Sequence, residues 1–316
     1  MKVKSKNELL LLVASLYYKE GLAQSKVAKL AGISQANVSR LLYEARQKGI
    51  VQIHVKPFSP RDTDLEKQLK ARYHFKHCIV IKKLPDQDCE QLRNTMGHFA
   101  APILSQMIKP GAVVCVAAGR HLNAVTAEMK PPQASANVVF IQAIGDITTQ
   151  IQENDAIELT RRLAKRWNGQ YYRLQAPAIT PDHHSYEIFI AHKQIKFVLH
   201  QMDRADLVFV GIGNPANSVF YNNKFSKEHE LQDLKSRGIV GEICGHFIDQ
   251  DGNECDTAYT NRIIGINLQQ LQQAPEVVAV TGGRDRAIAV HAAAKSGIIK
   301  SLVIDNQGAE ELMQLH

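Results

Sequence analysis

Residues 24–43, QSKVAKLAGISQANVSRLLY, constrain the fold of this chain more tightly than any other stretch. They read as two short helices joined by a sharp turn. Val27 and Ala28 face inward on the first helix. Gly32 falls where the chain must reverse, a place for a positive φ that glycine adopts without strain. Ile33 plugs the turn and Ser34 is placed to cap the second helix. Val38, Leu41, Leu42 and Ala45 recur at helical spacing and form its buried stripe. The opposite face carries Gln35, Ala36, Ser39, Arg40 and Tyr43, with Gln24 and Ser25 at the start of the first helix. A face that is small and polar near its N-terminus suits a helix entering a major groove tip first, with Gln24 and Ser25 touching the DNA backbone.

Charge is distributed to match. Residues 1–61 hold 11 Lys and Arg against 3 acidic residues, whereas residues 62–316 hold 27 against 28. The whole formal excess of +7 therefore lies in the first fifth of the chain, an electrostatic footprint for a polyanion. Lys26, Lys29, Arg40, Arg46 and Lys48 are interleaved with apolar stripes, unlike a solvated basic tail. An interfacial membrane helix is not favoured either. The helix expected over Asn7–Lys19 keeps Leu9, Leu12, Val13 and Leu16 for a core stripe, with few basic residues opposite.

A chain of 316 residues, 45% apolar, has room for one small and one larger domain. No apolar run approaches the ~18 residues of a transmembrane helix. The N-terminal LLLLVASLYYKEG breaks into Tyr17, Tyr18, Lys19 and Glu20, which fits a first helix of the DNA-binding domain better than a secretory signal. The cysteines, Cys78, Cys89, Cys115, Cys244 and Cys255, are odd in number and form no CxxC pair, so a reducing cytoplasm is the simplest setting. The histidines do not cluster at metal-ligand spacing, and no metal or cofactor is expected.

After the second helix, Gly49 ends it and IVQIHV alternates like a short strand, a wing beside the helix-turn-helix. Pro57, Ser59 and Pro60 then interrupt the pattern. The boundaries read as 1–56 for the DNA-binding domain, 57–61 for a linker and 62–316 for the second domain, which opens on a charged helix over 62–75. From residue 77, apolar runs alternate with amphipathic segments. The expected strands are CIVIKKL, AVVCVAA, ANVVFIQAI, LVFVGIG, VVAVTGG and SLVIDN. The expected helices cover 87–108, 152–168, 189–202, 228–236, 267–273 and 284–295. Short apolar strands spaced by helices indicate a parallel sheet covered on both faces, that is, a Rossmann-like α/β domain. Residues 238–264 break the rhythm and read as a hairpin turning at Asp251-Gly252.

Four loops follow expected strands: Ala118–His121, Ala143–Asp146, Gly211–Asn214 and Thr281–Arg286. Glycines there let backbone N–H groups approach an anion, and a following helix adds its dipole. Ligands of open α/β sheets bind at these carboxyl ends, so the loops are expected to converge on one crevice. None is a Walker loop or a dinucleotide fingerprint. Glu242, Asp206 and Asp285 are candidate acids or bases, but no nucleophile–base pair emerges and a GxSxG elbow is absent. The run Asp249–Gly252 lacks the closing glutamate of a calcium loop and reads as a turn.

The chain resembles the SorC family of bacterial sugar-responsive transcription regulators over nearly its whole length. The resemblance rests on LYYKEGLAQSKVAKLAGISQANVSRLLYEARQKGIVQIHV, DLVFVGIGNP, GEICGHFIDQDGNECDTAYTNRIIGI and VVAVTGGRDRAIAVHAAAKSGIIKSLVIDNQGAEELM. It implies a winged helix-turn-helix followed by a larger domain similar to sugar-phosphate isomerases. That domain would bind a sugar or phosphosugar effector without turning it over, in a dimer or tetramer that binds double-stranded operator DNA. The resemblance places the effector at Gly119, Arg120 and His121, at Gly145 and Asp146, and at Glu242 and Arg286. Gly213 and Gly283 complete the set on the strand-end argument.

The sequence departs from the family pattern at three of these positions. His121 stands where Thr is common, Asp146 where a second Gly is common, and Arg286 where Lys is usual. Asp146 would repel a phosphate if its carboxylate pointed into the cradle, and the Arg286 fork could compensate. Two further readings compete: an active sugar-phosphate isomerase or deaminase with a DNA-binding appendage, and a constitutive architectural DNA binder with a vestigial pocket.

Overall fold

The structure, a computed structural model, describes residues 5–54, 58–132, 137–215 and 237–315. It divides into two compact units, Met1–Phe58 and Ser59–His316. The helix expected over 228–236 lies outside the described residues.

In the first unit, α1 (Lys6–Ala14) starts on a Ser5 cap and runs into a π-helical turn, Ser15–Lys19. Leu10, Val13 and Ala14 are buried, while Leu9 and Leu16 pack at the margin and Leu12 stays half-buried. Of the expected stripe of Leu9, Leu12, Val13 and Leu16, only Val13 is fully buried, and Leu10 and Ala14 complete the core beside it.

α2 (Gln24–Ala31) ends at Gly32, whose φ of 67° is left-handed, and Ile33 N–H closes the turn on Ala28 O at 3.0 Å. α3 (Gln35–Gln47) is capped by Ser34, whose hydroxyl accepts from Asn37 N–H at 3.2 Å. Its stripe of Val38, Leu41, Leu42 and Ala45 closes the core with Val27 and Ala28. Each buried Leu or Val there contributes about 1.5–3 kcal/mol of apolar transfer. The wing strand expected in IVQIHV does not form within the described residues. Ile50 and Val51 pack on the helical core instead, and residues 52–54 have no strand partner.

The second unit begins with α4 (Thr63–Tyr73), capped by Asp62, and is built on a seven-stranded parallel sheet. Its strands are β1 (His77–Ile81), β2 (Val113–Val116), β3 (Val139–Gln142), β4 (Gln170–Tyr172), β5 (Leu207–Val210), β8 (Val277–Val280) and β9 (Ser301–Asp305). They lie in the order β1-β9-β8-β5-β2-β3-β4. The helices between them are α5 (Cys89–Ser105), α6 (Arg120–Glu128), α7 (Ala156–Trp167), α8 (His183–Ala191), α9 (Lys193–Met202), α10 (Leu268–Gln273), α11 (Ala287–Lys295) and α12 (Asn306–Gln314). β2, β5, β8 and β9 are almost wholly buried, which is why they read as unbroken apolar runs.

Among the elements that depart from expectation, α12 lies where no helix was expected. β4 is a three-residue polar and aromatic edge strand with no apolar run to announce it. The helix expected over 189–202 is two helices, broken at His192, whose backbone is extended. The hairpin of β6 (Gly241–Ile243) and β7 (His246–Ile248) turns at Cys244-Gly245, with φ of 52° and 85°. Asp251-Gly252 instead makes a second, smaller turn, closed by Gly252 N–H to Asp249 O at 3.0 Å.

Candidate functional site

In the first unit, Gln35, Ala36, Ser39, Arg40 and Tyr43 are all exposed on one side of α3, opposite its buried stripe. Ser25 is exposed and Gln24 half-buried at the start of α2. Arg40 is steadied by Asn37, whose Oδ1 accepts from Nη2 at 2.9 Å. The Arg46 guanidinium lies 6.0 Å from the centre of the Tyr43 ring. The face presents amide, hydroxyl and guanidinium groups of the kinds that read base edges and phosphates.

In the second unit, a cavity of about 190 Å³ opens at the carboxyl ends of β2 and β5. From β2 the chain passes to its neighbour β3, whereas from β5 the sheet continues to β8 on the other side, so the strand order reverses between β2 and β5 and opens a crevice there. Gly119, Arg120, His121, Gly213, Glu242 and Arg286 all line this cavity. Gly119 takes φ 150° at the start of α6, and its N–H donates to Asn154 O at 2.9 Å. The amides of Arg120, His121 and Leu122 precede the first bond of that helix, Asn123 N–H to Gly119 O at 2.8 Å. Arg120 is exposed at this N-terminus. Burial holds the His121 imidazole at a pKa of about 3, with the charges of Arg286, Arg93 and Arg120 acting in the same direction. His121 is therefore a neutral hydrogen-bonding ring at physiological pH.

The β6–β7 hairpin delivers Glu242. Its backbone exchanges two hydrogen bonds with Gly213, at 2.8 and 3.0 Å. A Cβ on Gly213 would lie 2.8 Å from Glu242 Oε2, so a side chain there would have to displace the carboxylate. Glu242 is buried, and its Oε1 accepts from Gly245 N–H at 2.7 Å. Arg286 is largely enclosed. Its Nη1 donates to Gly282 O at 2.7 Å and to Asp285 Oδ1 at 3.1 Å.

Three expected residues are not part of the cavity lining. Gly145 is small because a Cβ would meet Ala176 O and Pro177 O at 2.5–2.6 Å, a backbone approach with no ligand involved. Asp146 pairs with Arg173 at 3.1 Å and accepts from Gln142 Nε2 at 3.0 Å. Its carboxylate is thus engaged by Arg173 and Gln142 and is not among the residues that line the cavity. Gly283, with φ 93°, donates its N–H to the buried carboxylate of Asp305. Asp206 lies at the amino end of β5, away from the cavity, where it accepts from Val113 N–H at 2.9 Å. Asp285 is held by Asn214 Nδ2 at 3.0 Å.

The cavity also contains residues that the sequence reading passed over: Thr148, Gln152, Asn154 and Asp155 from the loop after β3, and Cys244 from the hairpin turn. Burial raises the Asp155 carboxyl against the opposing Gln152 N–H, and the Asp146 charge adds to the rise. Burial also raises the Cys244 thiol, with Glu242 contributing. The signal for the loop was its length and polarity after a strand, in the place where α/β sheets bind ligands.

Comparison with known proteins places this architecture. A family model described as "Putative sugar-binding domain" matches residues 59–314. The sorbitol operon regulator of Klebsiella pneumoniae is 26% identical over 308 residues, spanning 97% of this chain and 98% of that protein. The deoxyribonucleoside regulator of Bacillus subtilis (strain 168) is 26% identical over 312 residues, 98% of each chain. The crystal structure of the full-length sorbitol operon regulator SorC from Klebsiella pneumoniae shares the fold at a TM-score of 0.77 and 24% identity, covering 99% of this chain and 100% of that one. The sugar-binding domain of a transcriptional repressor from Vibrio fischeri matches at a TM-score of 0.71 and 28% identity, covering 80% of this chain and 98% of that one. No described helix is long and apolar enough to cross a membrane. The chain belongs to the SorC family of transcriptional regulators, defined by this sugar-binding domain.

Proposed function

We propose that this protein is a cytoplasmic regulator of a carbohydrate-utilisation operon. Residues 1–56 bind operator DNA, residues 57–61 link, and residues 62–316 bind a sugar or phosphosugar effector and self-associate. The observation that carries this reading is the cavity. It sets two guanidinium groups, Arg120 and Arg286, and the first amides of α6 against the Glu242 carboxylate and a neutral His121. Cationic groups and helix amides suit a phosphate or carboxylate, and a carboxylate acceptor suits sugar hydroxyls. The exposed polar face of α3 and the basic excess of residues 1–61 support DNA as the second partner. We read the cavity as binding without turnover. Glu242 and Asp155 each accept a backbone N–H, at 2.7 Å from Gly245 and Gln152, which suits fixed acceptors more than mobile proton carriers.

The effector controls DNA affinity only as far as it binds the two DNA-binding states differently, by a coupling of about 1–3 kcal/mol in typical systems. The test begins with a thermal-shift screen of sugars and sugar phosphates, and an operator fragment selected from genomic DNA. A true effector at about 100 times its dissociation constant stabilises the chain by ~2.7 kcal/mol. Glu242→Ala and Arg286→Ala should abolish the shift and keep operator binding. Arg40→Ala should keep the shift and weaken operator binding by about 1–3 kcal/mol. Wild-type effector affinity in both cavity variants would overturn the pocket. Unchanged DNA binding in Arg40→Ala would overturn the α3 face, and product formation from any hit would favour the enzyme reading.

A further inference from the structure

The Gly282–Gly283 loop was expected to offer its amides to an anion, but a residue of the chain already fills that role. Asp305, at the end of β9, is fully buried. One carboxylate oxygen accepts from Gly283 N–H, and the other accepts from Gly308 N–H at 3.0 Å and so caps α12. The fit is close on both sides. A Cβ on Gly282 would lie 2.6 Å from Asp305 Oδ2, and one on Gly308 would lie 3.0 Å from Gly283 O. Gly282 in turn offers its carbonyl to Arg286, at 2.7 Å. The position of the cavity guanidinium therefore depends on a loop that Asp305 holds.

The same residue is tied to the place where the chain enters the second unit. Asp305 is the register partner of Ile81, the last residue of β1. Ile81 is bridged to Arg61 in antiparallel fashion. Asp62 N–H donates to Val80 O at 2.8 Å and Lys82 N–H to Pro60 O at 2.7 Å. Glu66 locks this contact. It is buried, accepts from Val80 N–H at 3.1 Å and binds Arg61 through two bonds, at 2.8 and 2.6 Å. A second tie joins the far end of α12 to α4. Arg72 donates to Met313 O at 2.7 Å and to Leu315 O, and the Tyr73 hydroxyl donates to Leu312 O at 3.3 Å. β9 and α12 thus connect the Arg286 loop to residues 60–73, at the start of the second unit.

We propose that Asp305 is the positioning residue that couples the Arg286 loop to this entry segment, so that a change at one alters the stability of the other. The inference rests on the cavity being the effector site. Its test needs no effector, so the two can fail separately. Amide hydrogen exchange is measured by mass spectrometry on the full chain as wild type, Asp305→Asn, Glu66→Gln and, as a control in α7 on the other half of the sheet, Leu163→Ala. Asp305→Asn should speed exchange about tenfold in peptides covering 281–286 and also in 59–66 and 77–82. Because coupling is reciprocal, Glu66→Gln should speed exchange at 281–286. Leu163→Ala should leave both regions at wild-type rates relative to the rest of the unit. If Asp305→Asn does not fold, Glu66→Gln carries the test alone. Effects confined to the mutated end, or equal acceleration in the control, overturn the coupling.

Discussion

His121 shows how much one side chain depends on its setting. It follows Arg120 at the start of a helix, yet burial and the charges of three arginines act together on its ring. The consequence is a pH dependence whose sign is fixed. The folded ring titrates near 3 and an exposed one near 6.5, so below 6.5 the unfolded chain binds the extra proton. The stability that goes with the neutral ring is complete above pH 6.5 and declines as pH falls towards 3. His121→Thr should flatten this decline. Denaturant midpoints measured at pH 7.5, 6, 5 and 4 should converge between variant and wild type, or cross, on the acid side; parallel curves would refute the assignment. Arg286 makes the complementary point. Its Nη1 serves both a carbonyl and a carboxylate while the group still lines the cavity, a geometry that a single ammonium reproduces poorly.

At the scale of elements, the β6–β7 hairpin decides the acidic side of the cavity. Its turn needs left-handed backbone at both Cys244 and Gly245, the pattern of a type I′ hairpin. The Gly245 amide also holds Glu242. Gly245→Ala should cost about 1–2 kcal/mol for a left-handed non-glycine residue and lower the melting temperature. It should also weaken the thermal shift given by the effector. Gly245→Asn keeps the amide and tolerates the conformation better, so its ligand response should be closer to wild type. Equal loss in both variants would mean that the amide–Glu242 contact does not depend on the turn. The hairpin was legible in the sequence, but its turn was not. Asp251-Gly252 carries the stronger local signal, whereas Cys-Gly is an unusual pair for the tighter reversal.

For the whole molecule, the proposed function divides the labour between the two units as their charge implies. A lone helix-turn-helix reads few base pairs, and specific binding requires two copies about one DNA turn apart. The chain should therefore self-associate as a dimer or tetramer. Light scattering should show at least two copies both free and on the operator, and a monomer in both conditions would contradict it. On the proposed function, the basic excess within residues 1–61 should put the salt dependence of DNA binding in the first unit.

What the sequence determined by itself was local or periodic. The turn at Gly32, the Ser34 cap and the stripe of α3 depend on neighbours within a few residues, so their pattern can be read directly. The six apolar runs also emerged as strands, because a strand buried on both faces must be apolar throughout. The edge strand β4 lacked that constraint and was missed. Only the tertiary structure decided which strand-end loops meet. Gly119, Gly145, Gly213 and Gly283 look alike in sequence. Yet Gly119 and Gly213 line the cavity, Gly145 makes room for Ala176–Pro177, and Gly283 binds Asp305. Asp146 likewise meets Arg173, 27 residues away. A glycine at a strand end records only that something comes close. Whether that is a ligand, a backbone or a carboxylate of the same chain depends on strand order and crossover packing, which bring together residues far apart in sequence.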